Sequence, residues 1–289
     1  MIQLEHDLLR ISIAEKGAEL QSLYRKDLNL EYLWSGDPAF WGKFSPVLFP
    51  IVGGLKDNTY FYKGEAYQLG RHGFARDRVF EVITQSSNHV VFGLKSDAET
   101  KKVYPFDFSF ELSYTISGDT LTVGYKIINT GKEVMYASVG AHPAFKIPLT
   151  DGTTYEDWYL EFAQTEHTGQ WPLTKDGLIE AAPIPCLTNT QTLQLNKPLF
   201  YGDALVFKDL QSNAISIKSH QSAHGVNMQF DGFPFYGIWA AKDADFVCLE
   251  PWCGIADSAD TDQQLISKEG IHAIAANTSF ERNWSVQVF

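Results

Sequence analysis

Phe106-Asp107-Phe108-Ser109-Phe110-Glu111-Leu112-Ser113-Tyr114-Thr115-Ile116-Ser117 alternates apolar and polar side chains without a break. Successive side chains of an extended chain point to opposite faces, so this stretch predicts a strand with one face buried and one in water. Gly118-Asp119 then offers a tight turn, and Leu121, Val123, Tyr125 and Ile127 resume the alternation. Together they predict a long antiparallel hairpin.

Outward from that hairpin the same signal recurs. Thr59 to Tyr62 and Glu65 to Leu69 flank a Lys63-Gly64 turn. Leu9 to Ile13, Val90 to Leu94, Ile215 to Lys218, Phe246 to Leu249 and Trp284 to Val288 read as further strands. Helical signals are few and short. Asp37-Pro38 could open one turn through Trp41, with Asp as cap and Pro at the first position, and Asp260 to Lys268 could form another, ended near Gly270. Thr150 to Thr192 is loop-rich, and its Trp158, Tyr159, Leu160 and Trp171 predict an ordered excursion. Strands do not alternate with long amphipathic helices, so the expected fold is all-β, with stacked antiparallel sheets and a few short helices. No linker, repeat or low-complexity tract divides the chain, and a single domain over residues 1–289 is expected.

Composition narrows the function classes. The net charge of −12 argues against a nucleic-acid partner, which needs a basic footprint. Phe, Tyr and Trp number 20, 13 and 7, which suits strands and offers flat apolar faces on which a ligand can stack, although core packing accounts for most of them. Cys186, Cys248 and Cys253 are too few and oddly numbered for a disulfide framework, and their spacing fits neither a zinc knuckle nor a redox pair; they read as free thiols. Met1-Ile2-Gln3-Leu4-Glu5-His6-Asp7 lacks the basic-then-apolar pattern of a signal peptide, and no apolar run approaches membrane-spanning length. A cytoplasmic protein without a membrane partner is expected. There is no phosphate-binding glycine loop, dinucleotide fingerprint, G-x-S-x-G elbow or H-E-x-x-H.

Three segments set reactive side chains among Gly, Pro and aromatics: Gly70-Arg71-His72-Gly73-Phe74-Ala75-Arg76, Ser138-Val139-Gly140-Ala141-His142-Pro143-Ala144-Phe145 and Cys248-Leu249-Glu250-Pro251-Trp252-Cys253-Gly254. Each residue alone has an ordinary reading. His72 could be a surface loop residue, His142 a satisfied buried histidine, and Glu250 a strand-end carboxylate bonded to backbone. Against that, Glu250 ends the apolar run Asp245-Phe246-Val247-Cys248-Leu249 and precedes Pro251-Trp252. A half-buried carboxylate beside an indole has its pKa raised towards that of a usable base.

In this order the three segments resemble the aldose 1-epimerase (galactose mutarotase) family, and most of all its bacterial galactose-mutarotase-related branch. The resemblance spans essentially the whole chain, including Gly17-Ala18-Glu19-Leu20-Gln21-Ser22-Leu23 and Pro46-Val47-Leu48-Phe49-Pro50-Ile51-Val52-Gly53-Gly54. It implies a large antiparallel β-sandwich with a sugar cleft on a concave face. It also implies an isomerase that interconverts the anomers of a hexose such as galactose, with no metal or cofactor. Carried over, His142 matches the family's general acid and Glu250 its general base. His72 matches a histidine that contacts the sugar near the ring oxygen, and Asp203 a hydroxyl-binding aspartate. Arg76 follows His72 at a spacing shared with related hexose-phosphate epimerases. Trp252, Trp41, Phe74 or Phe235 could stack on the sugar. One departure stands out: Gly53-Gly54-Leu55-Lys56-Asp57-Asn58 lacks the arginine that galactose mutarotases carry before the first hairpin. Lys56 is the candidate substitute, although an ammonium lacks the planar fork of a guanidinium.

The sequence leaves three rivals: a sugar sensor of the same fold without turnover, a hexose-6-phosphate epimerase using the cluster Arg71, Arg76 and Arg78, and a glycoside hydrolase using Asp203 and Glu250.

Overall fold

In the computed structural model, which describes residues 1–289, Phe108–Ser117 and Thr120–Asn129 form the expected hairpin around the Gly118-Asp119 turn. Their register sets Ile116 opposite Leu121, Tyr114 opposite Val123, Leu112 opposite Tyr125 and Phe110 opposite Ile127. Every one of these pairs lies on the buried face. A slip of one residue would turn all of them to water, so burial itself holds the register.

This hairpin lies within a nine-stranded antiparallel sheet. From edge to edge its strands are Ile184–Gln194, Trp158–Gln170, Ala214–Ser219, Val226–Gln229, Ser279–Val288, Thr120–Asn129, Phe108–Ser117, His89–Lys95 and Glu81–Gln85. A second sheet is centred on Phe246–Cys253. That strand pairs on one side with Phe235–Trp239, followed by Leu205–Phe207, and on the other with both Val139–Gly140 and Ala144–Lys146. A four-stranded N-terminal sheet covers Ile2 to Glu31. The sheets share one apolar core, in which Phe49 stacks on Phe110 at 4.4 Å and Phe230 meets Tyr236 at 4.4 Å. The fold is a mostly-β sandwich of antiparallel sheets.

Three local expectations are corrected and one element is new. Phe246 to Leu249 is only the first half of a strand that runs on through Glu250 and Pro251 to Cys253, so Glu250 is not at a strand end. The loop-rich stretch contains the long strands Trp158–Gln170 and Ile184–Gln194. Most of their side chains beyond Phe162 are at least partly solvated, and the ladder shifts register between Glu161 and Glu166, so no clean alternation marks them. Glu166 fills that irregularity, accepting hydrogen bonds from the backbone N–H groups of Gln211 and Ser212 at 3.0 and 2.8 Å. Asp260 to Lys268 yields only the 3₁₀ turn Leu265–Ser267. The one α-helix, Ala98–Val103, carries no standard capping-box signature in the sequence. Its cap is Asp97, which accepts from Thr100 N–H at 2.6 Å while Thr100 Oγ1 accepts from Asp97 N–H at 2.8 Å. Threonine there stands in for the usual Glu or Gln, which hides the signature. The Asp37 turn is present, with Trp41 N–H donating to Asp37 O at 2.9 Å.

One buried ion pair ties three loops together. Lys268 Nζ lies 2.7 Å from Asp257 Oδ1, both nearly inaccessible, and Asp257 Oδ2 accepts from Lys56 N–H at 3.0 Å. Burial lowers the Lys268 pKa, opposed by Asp257. Asp257 N–H in turn bonds Gly54 O at 2.9 Å.

Two stability outcomes follow from this packing. Phe110→Ala is expected to lose about 3–5 kcal/mol in denaturant unfolding, while Thr122→Ala on the outer face loses less than about 1 kcal/mol. Lys268→Met leaves a buried carboxylate unpaired and is expected to cost about 3–5 kcal/mol; adding Asp257→Asn should recover much of that loss, and an equal loss in both variants would show that the pair is not what holds the loops.

Candidate active site

The central strand and its broken neighbour build the site. Gly140 pairs with Trp252 and Ala144 with Cys248, so position 142 falls opposite position 250. The intervening bonds keep that register: Ala141 N–H donates to Pro251 O at 3.0 Å and Leu249 N–H to Pro143 O at 3.2 Å. In an antiparallel ladder each such pair would exchange a second bond, but Pro143 and Pro251 have no N–H to give. The strand is therefore interrupted between Gly140 and Ala144, and His142 and Glu250 occupy a non-hydrogen-bonded pair, where side chains approach most closely. His142 Nε2 lies 3.3 Å from Glu250 Oε2, both side chains almost fully buried.

This pair lies in a cleft enclosing about 520 Å³. Trp41 stacks on the His142 ring at 5.0 Å and 23°, and Trp239 meets its edge at 5.6 Å. The Trp252 indole lies across two glycines of the neighbouring strands: a Cβ at Gly237 would fall 2.4 Å from its Cζ2, and one at Gly140 2.7 Å from its Cδ1. Two larger residues would lift the ring into the cleft.

His72 enters from a loop. Its N–H donates to Gly53 O at 2.9 Å, and its Nδ1 accepts from Gly53 N–H at 3.1 Å. That clasp fixes the tautomer with the proton on Nε2, leaving Nε2–H as a donor. Its ring stands perpendicular to that of His142 at 5.8 Å. Gly53 has φ +76°, and a Cβ there would fall 2.5 Å from Ala256 Cα, so glycine is required where the two loops touch. Asp203 also lines the cleft. One carboxylate oxygen accepts from Ala204 N–H at 2.7 Å. Its φ of 127° is rare for a residue with a side chain, and such strain gathers at binding sites.

Burial dominates the electrostatics. It raises Glu250 well above the usual carboxylate range; the Trp252 indole opposes the shift and Asp203 adds to it. Burial likewise lowers His142 to about 3, with Arg76 contributing. His72 is held well below the ordinary histidine range by burial, then by His142, Arg76 and Arg71. Burial thus favours the uncharged form of each group across their 3.3 Å separation. Glu250 is fully buried, not half-buried as its sequence context suggested.

The structure gathers His142, Glu250, His72, Arg76, Asp203, Trp252 and Trp41 in one cleft. Arg71 joins them. Lys56 does not: its Nζ donates to Ala259 O at 3.1 Å, outside the lining. Arg78 lies away, 4.0 Å from Asp97. Phe74 packs on Phe49 and Phe108 instead of facing the cleft, and Phe235 sits behind it beside Trp252. Trp239 and the segment from Leu173 to Ile179 also line the cleft and were not foreseen; the one sequence signal for Trp239 was its place ending the run Phe235-Tyr236-Gly237-Ile238. His142, Cys248 and Glu250 form the one group whose ligand atoms could hold a metal ion.

Known proteins share this architecture. Residues 1–263 match the family model described as aldose 1-epimerase. Protein LacX of Lactococcus lactis subsp. lactis, plasmid form, is 31% identical over 298 residues, with 99% of each chain covered. A galactose mutarotase related enzyme from Lactobacillus acidophilus superposes with a TM-score of 0.95 at 34% identity, over 100% of this chain and 97% of that one. A galactose mutarotase-like protein from Lactobacillus casei gives 0.90 at 29% identity, with 100% of both chains covered. With the match running through all three segments that carry the reactive residues, the chain belongs to the aldose 1-epimerase family.

Proposed function

We propose that this protein interconverts the α and β anomers of an aldohexose by acid–base ring opening. The observation that carries the reading is the direct opposition of His142 and Glu250 at 3.3 Å in the cleft. Ring opening takes a proton from the C1 hydroxyl and gives one to the ring oxygen. Both oxygens are bonded to the same carbon, so the acid and the base must stand side by side. A glycosidase instead needs two carboxyl groups about 5 Å or more apart.

Besides the imidazole's own N–H, the pair shares one transferable proton. At rest burial keeps it on Glu250. Passing it to His142 Nε2 yields a carboxylate base and an imidazolium acid without changing the net charge of the pair. Glu250 then removes the hydroxyl proton while His142 protonates the ring oxygen. The C1–C2 bond rotates in the open aldehyde, and the two groups exchange roles as the ring closes on the other face. His72 Nε2–H supports the ring oxygen as a neutral donor, and the second carboxylate oxygen of Asp203 receives a sugar hydroxyl. Trp252 and Trp41 offer flat apolar faces to the sugar. Three free thiols accord with a reducing, cytoplasmic setting, and no helix is long and apolar enough to cross a membrane.

One observation favours a phosphorylated hexose as substrate. Arg71 and Arg76 both line the cleft. Arg71 Nη2 donates only to Asp176 O at 3.4 Å, and Arg76 Nη2 donates to Arg71 O at 3.0 Å while its Nε is buried without a hydrogen-bond partner. Donors held this way suit a phosphate.

Glu250→Gln and His142→Asn are each expected to lower the enzyme-dependent rate of anomer equilibration, followed by polarimetry, by roughly 10²–10⁴-fold. A Glu250→Gln protein that keeps its rate would remove the base from the scheme. For the substrate, galactose and glucose 6-phosphate should be compared directly. If the arginines receive a phosphate, Arg76→Met should lower kcat/KM for glucose 6-phosphate by roughly 10–100-fold and leave galactose nearly unchanged, whereas equal losses on both sugars would count against a phosphate site.

A further inference from the structure

The strand that carries Glu250 also carries a thiol on the same face. Cys248 and Glu250 are two residues apart in the extended strand Phe246–Cys253, so their side chains point the same way. Across the ladder Cys248 faces Ala144, whose small side chain leaves the sulfur next to His142. One imidazole nitrogen, the Cys248 sulfur and one Glu250 oxygen lie within 4.8 Å of one another, and all three residues are buried. The acid–base scheme has no use for the sulfur.

We propose that His142, Cys248 and Glu250 form a binding site for a zinc-class divalent ion, which on binding captures the acid–base pair and stops turnover. Ligand atoms of a tetrahedral zinc stand roughly 3–4 Å apart, because the bonds are about 2.0–2.3 Å long. The His142–Glu250 separation of 3.3 Å already meets that spacing, and the sulfur needs only a small approach. The donor set of one imidazole nitrogen, one thiolate and one carboxylate suits zinc or cobalt; magnesium and calcium demand oxygen ligands. The charge also balances: one thiolate and one carboxylate neutralise a doubly charged ion, and the third ligand is a neutral imidazole. A neutral complex is what a buried site tolerates. Metal–sulfur and metal–oxygen bonds form as the thiol and the carboxylic acid each release a proton to solvent, while the imidazole contributes its lone pair; nothing is oxidised or reduced. Three protein ligands leave a fourth position on the cleft side for water.

The stop in turnover rests on the mutarotase reading; ion binding does not, and the test separates the two. Chelator-treated full-length protein is titrated with cobalt(II) alone and followed by absorption. The intense visible bands of tetrahedral cobalt and a near-ultraviolet thiolate-to-cobalt charge-transfer band are expected, and added zinc should bleach both. Cys248→Ser and Cys248→Ala, checked for native circular dichroism, should lose the charge-transfer band and bind zinc at least tenfold more weakly. Zinc should also suppress anomer equilibration in the parent protein, reversibly with chelator, and do so at least tenfold less effectively in the variants, whose metal-free rate stays at the parent level. Absence of tetrahedral cobalt bands, or a charge-transfer band that persists in both Cys248 variants, overturns the site. Cobalt bands without zinc inhibition in an active enzyme overturn the capture of the pair, and cobalt bands in a protein that never equilibrates anomers overturn the mutarotase reading while leaving the site intact.

Discussion

The site depends on the register between the broken strand from Val139 to Lys146 and the continuous strand Phe246–Cys253. Two prolines, one just after His142 and one just after Glu250, remove the N–H groups that would have closed the ladder there. What remains is a gap wide enough to leave one partner in the irregular segment Ala141–Pro143, yet fixed at both ends by paired residues. A shift of one residue would carry His142 to the opposite face. The reactive pair is therefore held by backbone pairing on rigid strands, while His72 and Asp203 come to it on loops whose backbones take unusual conformations.

Burial gives this pair its chemistry. It favours the uncharged form of both groups, a carboxyl group and an imidazole that stand 3.3 Å apart. Of the six buried side-chain polar atoms without a hydrogen-bond partner, Arg76 Nε, His142 Nδ1 and Trp252 Nε1 belong to residues lining the cleft. Unmade hydrogen bonds are expensive in a protein interior, and half of these lie on residues of one cleft. The cost is met by the apolar core that joins the two large sheets.

Other buried carboxylates are the instructive contrast. Glu19 accepts from Phe44 and Ser45 N–H at 2.8 and 3.1 Å, Glu166 from Gln211 and Ser212, and Asp257 is paired with Lys268. Each is satisfied and structural. Glu250 has an imidazole and an unpartnered indole beside it instead. The apolar run and the Pro251-Trp252 pair around Glu250 hint at this difference, but the hydrogen-bond donors of Glu166 and the imidazole beside Glu250 come from segments more than forty residues away.

The alternation from Phe106 to Ile127 determined by itself that this chain builds antiparallel sheets with one buried face, since side-chain direction in an extended strand is a property of the covalent backbone. The same logic failed beyond Phe162 in Trp158–Gln170, where most side chains are at least partly solvated and no alternation is selected. Three segments rich in Gly, Pro and aromatics could be singled out as reactive, and their order resembled one family. Tertiary structure alone decided that His142 faces Glu250, that Arg71 shares their cleft while Lys56 and Arg78 do not, and that Cys248 stands beside the pair. The reason is physical: proton affinity and proximity are set by burial and by strand register, and both are created only when distant segments pair.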